Sequence, residues 1–358
     1  MADQRMLISR APVRISFGGG GTDLPSFYGQ FGGLVISTTI NHYVYAILTA
    51  GSREAVQIVS ADYHTFWRQS LKSLIWDGDL ALPRAIVHEF DLHRGLDIFL
   101  ASQIPPGTGL GSSGSVAVCL INGLAAWQGI SLTPYEVAER ACYIEIQKMG
   151  MPVGKQDQYA AAFGGLNCIT FSAGGVTVVP LEIPELTLQT LERRLMLFFT
   201  GSSRQSSNIL RYQKQKGEQG DERVIKRLLA IKDLALEIRW ALEGGDLDAF
   251  GELLHSSWVQ KRSLAPNISN DTINEVYEAA RSKGAIGGKI TGAGGGGFLL
   301  LYCPELYQPA VTETLEGMGL RRMGFAFDTH GAQVMQTGEA LWMTAPSLRP
   351  ALQVTQVM

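Results

Sequence analysis

The chain reads as a mixed α and β protein, on three observations. Strand-like and helical stretches alternate through the first half, long helices dominate the second, and glycine-rich loops join strands to the next element. With 358 residues and 46% hydrophobic content it can bury a large core, and that length suggests two domains or one two-lobed unit.

Residues 7–17 and 43–49 are rich in β-branched and aromatic side chains and read as strands; residues 96–101 form another, leading into a glycine loop at 105–115. Beyond that loop Val116, Cys119, Leu120, Gly123, Leu124 and Trp127 recur at helical spacing, so an amphipathic helix is expected from about Ser113. A second helix has full punctuation: Thr133 as N-cap, Pro134 at the first helical position, Glu136 closing a capping box, and Gly150 past the end. Residues 166–171 and 195–200 are strand-like, and 221–242 and 247–259 read as long helices separated by Gly244-Gly245. A capped helix from Asn270 or Asp271 to Lys283, with Gly284 just past it, leads through the glycine run 287–297 to an apolar strand at 298–303. Past Gly331 the pattern weakens, and a terminal strand with a loose tail is expected.

Composition narrows the function classes. A net charge of −3 and a pI near 6.1 provide no basic footprint for nucleic acid. The first residues lack a charged-then-apolar signal pattern, and no run of 18 apolar residues exists to cross a bilayer, so a soluble, cytoplasmic protein with no membrane partner is expected. Cys119, Cys142, Cys168 and Cys303 lie far apart in apolar stretches with no C-x-x-C pair, which predicts buried free thiols.

The loop Pro106-Gly107-Thr108-Gly109-Leu110-Gly111-Ser112-Ser113-Gly114 empties onto a helix N-terminus, where unpaired amides and the helix dipole attract anions. It is the place to look for ATP; a flexible Gly/Ser turn is the other reading. It is no Walker loop, because the required lysine is missing. On a helical wheel Glu145 falls inside the apolar arc of the second helix. A buried carboxylate needs compensation, either Mg2+ held with the Ser113 hydroxyl or a salt bridge to a buried Arg or Lys. Asp157 lies in a short loop after that helix, two residues from Lys155, and is either a proton acceptor for an incoming hydroxyl or the N-cap of a helix at 158–163.

Near the N-terminus a strand bearing Arg14 runs into Gly18-Gly19-Gly20-Gly21-Thr22-Asp23. Arg14 can reach a phosphoryl group and Asp23 can accept hydrogen bonds from sugar hydroxyls; the alternative is a turn with solvated flanks. The run 287–297 either walls a nucleotide site or is a tight turn, and Arg204 is either a clamp for an anionic substituent or a surface ion-pair partner.

Taken in order, Ala11-Pro12-Val13-Arg14 with Thr22-Asp23, Gly109-Leu110-Gly111-Ser112-Ser113, Gly150-Met151-Pro152 with Asp157-Gln158, and Thr291-Gly292-Ala293-Gly294-Gly295-Gly296 resemble the galactokinase, homoserine kinase, mevalonate kinase, phosphomevalonate kinase (GHMP kinase) family. That resemblance implies an α+β fold of two lobes, an N-terminal lobe of ribosomal-protein-S5-like type over 1–190 and a ferredoxin-like C-terminal lobe over 191–335, with a tail at 336–358. It implies ATP and Mg2+ as cofactors, the loop 106–114 for ATP, Asp157 as base, Arg14 as the charge-stabilising cation, Glu145 and Ser113 as metal ligands, and Gly20, Gly21, Thr22, Asp23 and Gly294 around the acceptor.

Within the family, the segments 14–23 and 154–161 look most like the D-glycero-D-manno-heptose 7-phosphate kinases. The glycine run stands where galactokinases have Gly-Glu-His-Thr-Asp, which argues against galactose. The reading is an ATP-dependent sugar-1-kinase making heptose 1,7-bisphosphate, with Lys155 and Arg204 as candidates for the 7-phosphate and a homodimer as a possible assembly. Its rivals are a kinase for a neutral sugar such as fucose or an N-acetylhexosamine, and a non-catalytic sugar sensor on the same scaffold.

Overall fold

Thirteen strands of the described residues divide between two sheets according to their place in the chain. The computed structural model describes residues 5–52, 54–62, 64–201 and 207–336. The first seven strands, β1 (Met6–Gly18), β2 (Gly33–Ala50), β3 (Ala55–Ser60), β4 (Thr65–Ser70), β5 (Leu96–Ser102), β6 (Leu166–Ser172) and β7 (Gly175–Pro180), build the larger sheet. The next four, β8 (Leu195–Phe199), β9 (Gly287–Ile290), β10 (Phe298–Tyr302) and β11 (Arg321–Met323), build the smaller one. The last two, β12 (Phe327–Asp328) and β13 (Gln333–Gln336), return to pair with β2 and β1. The path of the larger sheet runs β13-β1-β2-β5-β3-β4, with only β3 and β5 parallel. The smaller sheet is antiparallel in the order β11-β8-β10-β9. That is the 4-1-3-2 arrangement of a ferredoxin-like βαββαβ unit.

The helices are α1 (Pro25–Phe31), α2 (Ala81–Glu89), α3 (Ser112–Trp127), α4 (Pro134–Cys142), α5 (Gln156–Phe163), α6 (Glu185–Arg194), α7 (Ser207–Glu218), α8 (Glu222–Glu243), α9 (Leu247–Arg262), α10 (Asp271–Ser282) and α11 (Gln308–Gly317). The capping box of Thr133 and Glu136 is formed with both of its hydrogen bonds, and Asn270 caps α10. The helix begun at Pro134 does not continue as α-helix to Gly150: from Tyr143 to Lys148 it widens into a π-helical turn. Helix α3 starts one residue before the expected position and is not simply amphipathic. Gly114, Ser115, Ala117 and Val118 are all buried, because α3 packs on β1 and β2 on one side and α2, α4 and α5 on others.

Three apolar clusters form the core. One lies between the larger sheet and α2 to α5; a second lies under the smaller sheet with residues of α8, α9 and α10. The third joins the lobes, with Val13, Ile15 and Phe17 of β1 meeting Phe250 of α9 and Tyr302 of β10. The rings of Phe17 and Phe250 stand edge to face at 5.3 Å, and those of Phe250 and Tyr302 at 5.5 Å. All four cysteines are free and buried, and no helix of the described residues is long and apolar enough to cross a membrane.

Candidate active site

Strand β1 ends, and helices α3 and α5 begin, around one cleft between the two lobes. Gly111 precedes α3 in the left-handed conformation, φ +81°, and supplies no side-chain cap, so the first-turn amides of α3 remain available to an anion. Gly107, Gly109, Gly111, Ser112 and Ser113 line the cleft. Thr108 and Leu110 do not: both are fully buried, and the Thr108 hydroxyl donates to the Pro105 carbonyl. Pro106 lies on the other side of the loop, lining an apolar chamber of about 320 Å3 with Val44, Leu80, Pro83, Leu100 and Met149. Gly114, inside α3, lets α5 approach; a Cβ there would lie 2.7 Å from the Asp157 Cβ.

Arg14, on β1 and almost wholly buried, crosses this opening. Its Nε and Nη2 both donate to Asp157 Oδ1, at 2.9 and 2.6 Å, while Nη1 donates to the Gly109 carbonyl at 2.7 Å. The guanidinium therefore ties the phosphate-type loop to Asp157, and Oδ2 has no protein partner among the described residues. Asp157 is not an N-cap; α5 begins at Gln156, and the carboxylate sits in its first turn, 27% exposed to the cleft. The α5 amide of Gln156 goes to Asp23 Oδ2 at 3.2 Å, and Gly21 donates to Asp23 Oδ1 at 2.9 Å. Burial, with the nearby charge of Asp157 as the next cause, pushes the Asp23 carboxyl above its ordinary range.

Glu145, in the π-helical turn, is enclosed as its wheel position predicts, but it has no Arg or Lys partner among the described residues. It accepts from the Ser113 hydroxyl at 2.6 Å and from Gln158 Nε2 at 2.6 Å. Burial raises it to about 7, against the lowering effect of those two hydrogen bonds. The buried Ser112 hydroxyl, on the same first turn of α3, has no partner among the described residues. Carboxylate and hydroxyl oxygens without a cation are a donor set that suits Mg2+.

Some expected site residues are placed elsewhere. The Thr22 hydroxyl is spent on the Gly19 and Leu34 carbonyls, holding the glycine turn against β2. Lys155 turns from the cleft to Glu139, 2.8 Å away; burial, the largest single influence, lowers its pKa, but the Glu139 pairing together with Cys142 and Tyr28 outweighs it and holds it above the ordinary lysine value. Gly294 packs on Ile268 behind the wall made by Gly292 and Ala293. Arg204 lies outside the described residues, as does the expected tail from residue 337 onward. Conversely, Gln156, Gln213 and Lys261 line the cleft without any signal that local sequence reading would find.

The descriptions "GHMP kinases N terminal domain" and "GHMP kinases C terminal" match residues 80–165 and 238–315. A D-glycero-alpha-D-manno-heptose 7-phosphate kinase of Campylobacter jejuni is 32% identical over 301 residues, which is 82% of this chain and 88% of that protein. A bifunctional fucokinase/GDP-fucose pyrophosphorylase of Arabidopsis thaliana is 28% identical over 82% of this chain but 29% of its own length. The crystal structure of a D-glycero-D-manno-heptose 1-phosphate kinase from Bacteriodes thetaiotaomicron matches with a TM-score of 0.75 at 28% identity, covering 92% of this chain and 98% of that one. The two family matches and a relative of this identity over most of both chains agree: the chain belongs to the GHMP kinases, phosphotransferases whose acceptor is a hydroxyl group.

Proposed function

We propose that the chain transfers the terminal phosphoryl group of ATP to the anomeric hydroxyl of D-glycero-D-manno-heptose 7-phosphate, giving the 1,7-bisphosphate used toward nucleotide-activated heptose for surface polysaccharide. The observation that carries the reaction type is Asp157, held by Arg14 through one oxygen and open to the cleft through the other, at the mouth of the uncapped α3 amides. The acceptor hydroxyl gives its proton to Asp157 Oδ2 as its oxygen attacks the γ-phosphorus, the bond from that phosphorus to the β-phosphate oxygen breaks with ADP leaving, and the loop amides with Arg14 stabilise the charge on the phosphoryl oxygens. The apolar chamber beyond Pro106 has the size and lining for the nucleoside end of ATP. The substrate is argued from the heptose 7-phosphate kinase of Campylobacter jejuni, similar over most of both chains.

Glu145 and Ser113 would hold the magnesium ion, which supplies charge neutralisation for the phosphates. With Glu145 near 7, a proton competes with the ion, so apparent Mg2+ affinity should rise about tenfold from pH 6 to pH 8. The sign for stability is opposite. A raised carboxyl pKa favours the folded protein while it is protonated, and that contribution fades as pH climbs from the ordinary value of 4.5 through about 7. Mg2+ titrations read through ATP turnover should lose their pH slope in Glu145→Gln; a slope kept by that variant would remove Glu145 from the metal site.

Steady-state kinetics with heptose 7-phosphate, unphosphorylated heptose, fucose and an N-acetylhexosamine test the substrate. The expected result is a kcat/KM at least about 100-fold higher for the phosphorylated heptose, the scale of a charged contact made or lost. Preference for a neutral sugar would replace the assignment, and no ATP turnover with any of them would leave the sensor reading.

A further inference from the structure

Lys261 of α9, 7% exposed, is a second buried cation in the cleft, and the phosphoryl transfer proposed for Arg14 and Asp157 makes no use of it. Its ammonium donates to the carbonyls of Gly292 and, at 3.4 Å, Ile290, where the second glycine run begins. Two acceptors leave one of its three N–H groups without a protein partner, and no carboxylate stands within ion-pair distance among the described residues. Three charged side chains face it: Arg14 from β1, Asp23 from the loop after β1, and Lys289 from β9. Each is already committed. Arg14 serves Asp157 and Gly109, Asp23 accepts from the amides of Gly21 and Gln156, and Lys289 donates to the Phe17 carbonyl at 3.1 Å. Burial, with the charges of Lys261 and Arg14 as the next causes, holds Lys289 well below the ordinary lysine range behind the cleft wall, so of the groups gathered here it is the third N–H of Lys261, a residue that lines the cleft, that is left for an anion. Burial, with the repulsion of Arg14 as the next cause, brings Lys261 down to about 7, so much of it is neutral above that pH until a negative charge arrives.

We propose that Lys261 receives a phosphoryl group from the C-terminal-lobe wall of the cleft and takes up a proton as that anion binds. The inference rests on the kinase reading and supplies the phosphate-binding cation that Lys155, turned to Glu139, does not. Two sources present this chemistry. Gly292, held by Lys261, presses on Gly109 of the phosphate-type loop; a Cβ on Gly292 would sit 2.5 Å from the Gly109 Cα. That favours the terminal phosphate of the nucleotide. The proximity of Asp23, an acceptor-side residue, favours the phosphate carried by the sugar.

Isothermal titration of the full chain in two buffers of different ionisation enthalpy measures affinity and proton uptake together. One arm uses a non-hydrolysable ATP analogue with Mg2+, the second heptose 7-phosphate, the third unphosphorylated heptose. At about pH 8, Lys261→Met should bind about tenfold or more weakly in one phosphate-bearing arm, with its proton uptake lost there, and should match the wild type in the neutral arm. The arm that weakens names the source. Lys261→Arg, whose charge is fixed, should restore affinity without uptake. Subtracting variant from wild type removes the ionisation of Glu145 and of the ligand. Equal affinity and uptake in wild type and Lys261→Met overturn the proposal, and so does equal weakening in all three arms. Should Lys261→Met fail to fold, the difference between wild type and Lys261→Arg takes its place: uptake lost in Lys261→Arg in a phosphate-bearing arm sustains the proposal, and equal uptake in the two proteins overturns it. Binding is read without turnover, so a failed kinase reading shows separately, as wild-type protein that phosphorylates no sugar.

Discussion

Asp157→Ala should lower kcat by about 10²–10⁴, with the nucleotide dissociation constant changed far less. The carboxylate does two things that one substitution cannot separate: Oδ2 faces the cleft, and Oδ1 takes two donors from Arg14, itself 3% exposed. Removing it leaves a buried guanidinium with only the Gly109 carbonyl, so some stability is lost along with activity. Asp157→Asn is the cleaner partner, because its amide oxygen still accepts from Arg14 while no group remains to take a proton. The expected pattern is near-equal loss of kcat in both variants, with the melting temperature lowered chiefly in alanine. Turnover retained in Asp157→Asn would transfer the role from proton acceptance to orientation of the acceptor.

Gly111→Val should weaken nucleotide binding by about tenfold to a hundredfold, and lower kcat as well. A left-handed backbone costs a side-chain-bearing residue about 1–2 kcal/mol before any contact is counted, and more for a β-branched one. The contacts add to it: a Cβ at this position would lie 3.2 Å from Arg14 Cγ and 3.3 Å from Asp157 Cγ, pressing on the pair that spans the cleft. Relief requires the loop to move, which withdraws amide contacts worth roughly 0.3–1 kcal/mol each from the phosphates. Gly150→Ala is the control. Its φ is +64° with nothing within 4 Å of a new Cβ, so it carries the backbone cost alone and should reduce stability without changing nucleotide affinity. Equal affinity in wild type and Gly111→Val, measured by titration with an ATP analogue, would remove this loop from the nucleotide site.

What the sequence makes legible is what a few neighbouring residues decide. The capping box at Thr133, the Asn270 cap and the glycine at the head of α3 are local chemistry, and each stands where its spacing puts it. The Arg14–Asp157 pair joins residues 143 apart, so no periodicity links them; only the resemblance to a family does. The π-helical turn under Glu145 leaves the 3.6-residue pattern that a wheel assumes. Lys261 falls just past the helix expected at 247–259, where nothing in its sequence neighbourhood sets it apart from a solvated cation. Its enclosure depends on a glycine run 31 residues away closing over it. Lys155 goes astray for the converse reason, since its charge suggests the cleft while Glu139, one helix back, captures it.

The pairing of β13 with β1 places Arg10 beside Gln333, 323 residues later in the chain. During synthesis the 323 positions that follow Arg10 up to Gln333 must therefore leave the ribosome before β1 meets that neighbour. Until then β1 carries an open edge, exposed to stray strands of other nascent chains. A nascent chain of this protein needs a chaperone's shelter until Gln333 has emerged, longer than its two-lobed outline suggests.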